Sequence, residues 1–226
     1  MLDYFLEEKT NLILYFGAFD PFHLIHFYEV YFASISFDAL VYIVPVLNSP
    51  EKPELSDLTL RCKVIEASIE KNLPYLQCVP EETQGISRKK IAPIYERLFY
   101  TFELMGIDDF QGLEKIPYWQ EIINRSHLIV TGTENPNVPL PDFFDDLYKR
   151  CPIPHLLTSG ALGAGKEVSA AFVNQRTQRF IYYLGFASGG LSSTMIRQGI
   201  LDKTYKEFIP WFVNEEAARI YIEAKR

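Results

Sequence analysis

The segment NLILYFGAFDPFHLIH occupies residues 11–26 of the chain. Its first six residues form an apolar run that is typical of a buried strand, and Gly17 ends that run and lets the backbone turn. After Pro21 the sequence is long and apolar enough for a helix, which Asp20 could cap through its carboxylate. A strand, a tight turn and a helix in this order indicate the first unit of an α/β fold.

The rest of the chain alternates between strands and helices in the same way. Its patterns predict strands over 39–44, 75–79, 99–105, 127–130, 155–157 and 180–186, and helices over 57–71, 91–98, 142–150, 204–212 and 214–224. This alternation predicts a Rossmann-like α/β fold, a doubly wound parallel sheet with helices on both faces. The length of 226 residues suits a single domain over 1–226. Ligands of such sheets bind beyond the carboxyl ends of the strands, so the strand-to-helix turns are the segments of interest.

The composition restricts the classes of partner. A net charge of −7 at pH 7 disfavours binding to nucleic acid or to an anionic membrane, because both need a basic face. No apolar run approaches the roughly 18 residues of a membrane span, and MLDYFLEEKT lacks the basic flank of a signal peptide. The three cysteines are far apart and form no CxxC pair. We therefore expect neither structural disulfides nor a zinc site, and a cytoplasmic location.

The turn at 17–26 offers groups that could bind a phosphate. His23 and His26 are three residues apart, so on a helix their imidazoles share one face. A helix N-terminus with free N–H groups is an anion site, and imidazoles beside it can donate to phosphoryl oxygens. One other interpretation stays open: the pair could be packed or solvated in an ordinary turn. A zinc site would need a third ligand, and none is near in sequence.

A second candidate turn, LSSTMIR, occupies 191–197. Ser192, Ser193 and Thr194 open a predicted helix there, and their hydroxyls are good N-caps. Arg197 lies one turn further on, over the same helix end. Hydroxyls, backbone amides and a guanidinium at one helix start suit a triphosphate. The alternative is a capped helix with a surface arginine.

A third segment, GALGAGKE at 160–167, imitates a P-loop. A P-loop has Ser or Thr after its lysine to hold magnesium, whereas Glu167 follows Lys166 here. The pattern therefore favours a flexible Gly/Ala loop over a nucleotide-binding loop.

The first two turns together resemble the motifs of the nucleotidyltransferase superfamily. GAFDPFHLIH is similar to the signature G-x-F-D-P-x-H-x-x-H, and LSSTMIR is similar to the I-S-S-T-x-I-R form of bacterial nicotinate-mononucleotide adenylyltransferases. In VPVLNSPEK, Lys52 stands at the lysine position of that family's P-H-K. GIDDF resembles its G-x-D segment, IPYW its P-x-W segment, TLRCKVIEASI its following helix, and FIPWFVNEEAARIYI its C-terminal ending. The resemblance covers most of the chain in patches.

The resemblance implies adenylyl transfer from ATP to nicotinate or nicotinamide mononucleotide, which gives the dinucleotide and pyrophosphate in NAD biosynthesis. It implies Mg²⁺ that accompanies ATP as co-substrate, without a metal held by protein ligands. It assigns three catalytic residues, His23, His26 and Arg197, and it assigns Trp119 to the pyridine nucleotide. Nine residues would bind ATP or its phosphates: Gly17, Ala18, Phe19, Lys52, Gly106, Asp108, Ser192, Ser193 and Thr194.

Three residues in the first motif depart from the family pattern. Phe16 stands where the family usually has a second glycine, and Ala18 stands where it has Ser or Thr. Ile25 replaces a glycine between the two histidines, where the family leaves room for the nucleotide beside the helix backbone. These departures leave two alternatives open: a degenerate member that binds a nucleotide without turning it over, and a transferase for another phosphate acceptor. The patterns favour neither the acid nor the amide pyridine substrate, and they indicate no oligomeric state.

Overall fold

The computed structural model describes residues 11–47, 54–69, 73–79, 100–132, 141–153, 168–185, 191–202 and 204–225. The strands are β1 (Asn11–Gly17), β2 (Ala39–Pro45), β3 (Leu76–Cys78), β4 (Tyr100–Gly106), β5 (His127–Gly132), β6 (Tyr148–Cys151), β7 (Val168–Asn174) and β8 (Phe180–Gly185). The α-helices are α1 (Leu24–Phe37), α2 (Leu58–Ser68), α3 (Ile107–Gln111), α4 (Trp119–Arg125), α5 (Phe144–Leu147), α6 (Ser193–Leu201) and α7 (Glu215–Lys225). Short 3₁₀ turns occupy Leu113–Lys115, Tyr205–Glu207 and Ile209–Trp211.

The described strands form one mainly parallel sheet in the order β3-β2-β1-β4-β5-β8-β7-β6. β2 pairs with β3, β4 with β5, and β5 with β8 in parallel. β7 is antiparallel to both β8 and β6, so the last two strands form an antiparallel edge. This architecture confirms the Rossmann-like α/β fold that the sequence predicts.

The first strand and helix follow from their apolar residues. The side chains from Leu12 to Phe16 are all buried, which is the pattern of a strand covered on both faces. Polar groups then fix the end of α1. The side-chain amide of Asn11 donates to the carbonyl of Phe37 over 2.7 Å, and the hydroxyl of Ser34 donates to the carbonyl of Ala39 over 2.7 Å.

The described residues belong to two compact units, to both of which β1, α1 and β2 contribute. The first unit contains β4 to β8 with α3, α4 and α5. The second unit contains the turn after β1 together with α2, β3, α6 and α7. The single domain expected from the length stays a prediction.

The first unit has a core rich in aromatic side chains. Phe110 is fully buried, and its ring lies edge-on to the rings of Phe143, Phe144 and Tyr183 at centroid distances of 6.3 Å. Aromatic pairs prefer this geometry, because the positive ring edge meets the negative ring face. The core therefore rests on aromatic contacts between α3, α5 and the sheet.

Two predicted helices were wrong. The segment 142–150 is helical only over Phe144–Leu147, and Tyr148 begins the edge strand β6. Tyr148 is buried while Lys149 and Arg150 are exposed, so packing against β7 overrides the helical pattern. Over 204–212 the chain forms two 3₁₀ turns instead of one helix. Pro210 lies in the second turn, where it lacks an N–H group and disfavours the α conformation of the preceding residue.

Other predictions differ in extent or lie beyond the described part of the chain. The sequence did not predict β7. The strands expected at 39–44, 75–79, 99–105, 127–130 and 180–186 and the helices at 57–71 and 214–224 are present with shifted ends. The helix at 91–98, the strand at 155–157, the loop Gly160–Lys166 and Lys52 lie outside the described residues. Within those residues, no helix is both long and apolar enough to cross a membrane.

His127 begins β5 in the first unit and packs among aromatic rings. The N–H of Phe180 donates to its Nδ1 over 3.2 Å, and the guanidinium of Arg179 lies 3.2 Å from its Nε2. Burial, and to a smaller extent the positive charge of Arg179, lower the pKa of His127 to about 4. His127 is therefore neutral in the folded protein at neutral pH.

We expect this histidine to make the protein less stable in mild acid. The unfolded chain binds the proton with a pKa of about 6.5, so the contribution of neutral His127 is complete above that pH and is lost as the pH falls toward 4. The loss between about pH 7.5 and about pH 5 should reach about 2 kcal/mol. Urea unfolding at both pH values measures it, and His127→Gln should show a smaller difference. An equal pH dependence in the variant would contradict the assignment.

Candidate functional site

The turn after β1 is built around the ring of Phe19. An added Cβ on Gly17 would lie 2.6 Å from this ring, so the turn needs glycine there. Phe19 itself has a φ of 46°, a left-handed conformation that is uncommon for a bulky residue. Its buried ring contacts Tyr15 at 4.9 Å, Phe22 at 5.6 Å and His26 at 5.3 Å between centroids. Contacts on three sides hold the turn in this strained form.

The rings of the two histidines lie together, although only His26 is on the helix that the sequence predicts for both. α1 begins at Leu24, so His23 precedes the helix and His26 lies in its first turn. The N–H of His23 donates to Nδ1 of His26 over 3.3 Å, and the two rings stack with centroids 3.8 Å apart at 21°. Because Nδ1 of His26 accepts this bond, the proton of the neutral ring is on Nε2. His26 can therefore present an N–H donor at the start of α1.

Asp20 does not cap α1, in contrast to the prediction. Its fully buried carboxylate accepts from the N–H of Ser56 over 2.9 Å, from the hydroxyl of Ser56, and from the hydroxyl of Tyr221 over 2.7 Å. Burial alone would raise the pKa of Asp20. The hydrogen bonds from Ser56 and Tyr221, with the charge of Lys225, outweigh burial and lower this pKa. Asp20 is thus an ionised acceptor that ties the turn to two distant segments.

The segment 191–197 opens a helix, as predicted. Ser192 is the N-cap of α6, and its hydroxyl accepts from the N–H of Met195 over 3.3 Å. The hydroxyl of Ser193 donates to the carbonyl of Pro21 over 3.0 Å. Arg197 donates to the carbonyl of Asp20 over 2.6 Å and to the hydroxyl of the exposed Thr194 over 3.0 Å. The two motifs, about 170 residues apart in sequence, therefore meet in the second unit.

A buried arginine, Arg61, supports the same turn from α2. Its guanidinium donates to the carbonyls of Ala18 over 2.7 Å, Val46 over 2.8 Å and Leu47 over 3.3 Å, and its Nε donates to that of Ser56 over 2.9 Å. The fork of one guanidinium thus joins the ends of β1 and β2 to the start of α2.

Sequence reasoning missed Ser56, Arg61 and Tyr221 as supports of the turn. The sequence did hold a signal for Arg61, since the apolar residues Val64 and Ile65 lie three and four residues further on. Both are fully buried in the structure. That spacing places Arg61 on the buried face of α2. Ser56 and Tyr221 carried no comparable signal. Sequence reasoning also missed the buried pair in which the hydroxyl of Tyr15 donates to the carboxylate of Glu29.

The other predicted residues lie in the first unit. Gly106 is the N-cap residue of α3, and Asp108 is exposed in the first turn of this helix. Trp119 begins α4 and is half-buried, and its ring stacks on Phe143 with centroids 4.7 Å apart at 23°.

The comparisons identify the family. The model of the cytidylyltransferase-like family matches residues 14–199, and the chain belongs to this family. The matched residues run from β1 into α6 and include both motifs. No sequence among the curated proteins matches the chain significantly.

Solved structures of one kind of enzyme are similar to this chain. A Vibrio parahaemolyticus protein assigned as a nicotinate-nucleotide adenylyltransferase has a TM-score of 0.54 at 17% identity, over 93% of this chain and 98% of that one. The Plasmodium falciparum nicotinic acid mononucleotide adenylyltransferase complexed with APC has a TM-score of 0.65 at 10% identity, over 96% of both chains. The complex of the same enzyme with NaAD has a TM-score of 0.60 at 12% identity, over 95% of this chain and 96% of that one. At these identities the likeness shows the fold.

Proposed function

We propose that this protein transfers the adenylyl group of ATP to nicotinate or nicotinamide mononucleotide and releases pyrophosphate. The observation that carries the proposal is the meeting of its two motifs. Hydrogen bonds from Ser193 and Arg197 to the turn at 18–21 bring the start of α6 beside the histidines at the start of α1. Two helix starts, two imidazoles and a guanidinium in one place suit the phosphates of a nucleotide.

The reaction needs no protein nucleophile. A phosphate oxygen of the mononucleotide attacks the α-phosphorus of ATP and forms a new P–O bond. The bond from the α-phosphorus to the oxygen that bridges to the β-phosphorus breaks, and pyrophosphate leaves with that oxygen. Catalysis of such a transfer rests on positioning and on stabilisation of charge on the phosphoryl oxygens.

The proposed site residues bind different phosphates of ATP. His26 would donate from Nε2 to an α-phosphate oxygen, and His23, whose ring stacks on that of His26, would help to neutralise the α-phosphate oxygens. Arg197 has five N–H donors, of which its bonds to Asp20 and Thr194 use only some, so it can also donate to the β- and γ-phosphates. By resemblance, Lys52 would bind the same phosphates.

Magnesium would accompany the nucleotide. Among the residues that the structure describes, no group of three or more His, Cys, Asp or Glu could hold a metal ion. The carboxylate of Asp20 is occupied by Ser56 and Tyr221. Mg²⁺ is commonly held by phosphates and water, so the nucleotide itself would supply its ligands. When bound there, the ion would neutralise phosphate charge.

Trp119 is proposed to stack on the pyridine ring of the mononucleotide. Trp119→Ala should weaken binding of the mononucleotide by roughly 5- to 160-fold, corresponding to roughly 1–3 kcal/mol for lost stacking, and leave ATP binding intact. Calorimetric titration with each substrate measures both affinities. Trp211→Ala is the matched control, since Trp211 is 39% exposed in a 3₁₀ turn. Equal weakening of both substrates, with a large fall in Tm, would instead identify Trp119 as a core residue.

A pyrophosphate-release assay tests the proposed function. Wild-type protein with ATP, magnesium and either pyridine mononucleotide should release pyrophosphate and form the dinucleotide, and His26→Ala should be nearly inactive. Binding of ATP without turnover of either mononucleotide would support the degenerate member that Phe16, Ala18 and Ile25 suggest. Turnover only with another phosphate acceptor, such as phosphopantetheine, would support the second alternative.

A further inference from the structure

The turn at 18–21 is held at almost every residue. Arg61 donates to the carbonyl of Ala18, Arg197 donates to that of Asp20, and Ser193 donates to that of Pro21. Tyr221 adds the contact that is furthest away in sequence, 201 residues from Asp20. Its hydroxyl reaches the turn from the last helix, α7.

Tyr221 is itself held in place. α7 packs against α2, and the side chain of Asn214 joins the two helices. Its amide donates to the carbonyl of Ala67 over 2.6 Å, while its side-chain oxygen accepts from the N–H of Ala217 over 2.9 Å. The ring of Tyr221 is fully buried against Phe212. The hydroxyl therefore presents a fixed donor to the carboxylate of Asp20.

We propose that Tyr221 is a positioning residue for nucleotidyl transfer, because its hydroxyl orients Asp20 and thereby the turn that carries His23 and meets Arg197. This inference rests on the proposed function. Without the hydroxyl, the carboxylate of Asp20 keeps its two bonds from Ser56 but loses its hydrogen bond to α7, so α7 no longer fixes its position. The carbonyl of the same residue accepts from Arg197, and His23 follows three residues on. A small shift of Asp20 therefore moves groups on both helix starts.

The charges of the pair support this role. Burial, followed by the charge and hydrogen bond of Asp20, raises the pKa of the Tyr221 hydroxyl far above its ordinary value. Burial would raise the pKa of Asp20, but the hydrogen bonds from Ser56 and Tyr221 outweigh it, so this pKa is lowered. A protonated phenol thus donates to an ionised carboxylate, and bonds of this charge-assisted kind are stronger than neutral ones.

The test compares Tyr221→Phe with Tyr148→Phe. Tyr148 is also buried and donates from its hydroxyl, to the carbonyl of Ile123 over 3.3 Å, but it lies in the first unit. Both variants should stay folded, and Tyr221→Phe should lose more unfolding free energy in urea, because its bond is charge-assisted. Tyr221→Phe should lower kcat by about tenfold, the scale of a small misplacement, and leave the KM of the mononucleotide within about twofold. Tyr148→Phe should leave kcat unchanged.

Binding of a non-hydrolysable ATP analogue keeps this inference separate from the proposed reaction. Calorimetry should show the analogue bound several-fold more weakly by Tyr221→Phe and by Asp20→Asn than by wild type or Tyr148→Phe. That result would hold even if neither pyridine mononucleotide were a substrate, so failure of the proposed acceptor would not affect it. Wild-type affinity in Tyr221→Phe, or an equal loss in Tyr148→Phe, would overturn the positioning role.

Discussion

Replacing His26 or Arg197 by Ala should each lower the turnover number by about a hundredfold, the effect of removing one preorganised charge stabiliser. His26→Ala removes the Nε2–H donor of the imidazole. This donor is available for phosphate because the N–H of His23 bonds to the other ring nitrogen, Nδ1. Arg197→Ala removes the guanidinium and also its bond to the carbonyl of Asp20. Arg197→Lys keeps the positive charge but loses the forked guanidinium, so its turnover number should lie between those of the wild type and Arg197→Ala. Steady-state pyrophosphate release measures all three.

Arg219→Ala is the matched control for the arginine. Arg219 lies on α7 with its side chain 60% exposed, and its partner is Glu223 on the same helix. Exposed pairs of this kind contribute little, so activity and stability should both be unchanged. The unfolding free energy of the His26 and Arg197 variants should fall by no more than about 2 kcal/mol, the scale of a lost hydrogen bond with its unpaired partner. A loss of activity below about threefold in both variants would refute their role.

The parts of the fold that follow from local patterns were predictable. β1 is a continuous apolar run, and Ser192 is an N-cap whose hydroxyl accepts from the backbone, as its position before a predicted helix indicates. The meeting of the two motifs came from resemblance, because spacing alone does not bring residues 20 and 197 together. The structure then adds how they meet, through Arg197 and the carbonyl of Asp20.

The missed features depend on long-range packing. Tyr148 belongs to a strand only because β7 lies beside it, and β7 itself was not predicted. The sequence predicted Asp20 as a helix cap because an Asp just before a helix commonly caps it. Its actual donors, Ser56 and Tyr221, lie 36 and 201 residues away. A local pattern holds no information on such partners, so the hydrogen bonds that hold the turn emerged only from the structure.

The second large effect concerns Arg61, whose replacement by Met should destabilise the protein by about 3 kcal/mol or more. Met matches the length of the side chain and its apolar packing, but it leaves the carbonyls of Ala18, Val46 and Ser56 without their donor. Each buried acceptor left unsatisfied costs about 1–3 kcal/mol, with smaller values where water can reach the carbonyl. Arg61→Lys should cost less, since an ammonium can still reach one or two of these oxygens.

Urea unfolding followed by tryptophan fluorescence measures the change, with Arg176→Met as control. Arg176 is exposed in the turn between β7 and β8, so its replacement should shift the unfolding free energy by no more than about 0.5 kcal/mol. Because Arg61 joins the ends of β1 and β2 to the start of α2, its loss should also weaken binding of the ATP analogue. A change below about 1 kcal/mol in Arg61→Met would mean that these three carbonyls find water or other donors, and that the turn does not depend on this guanidinium.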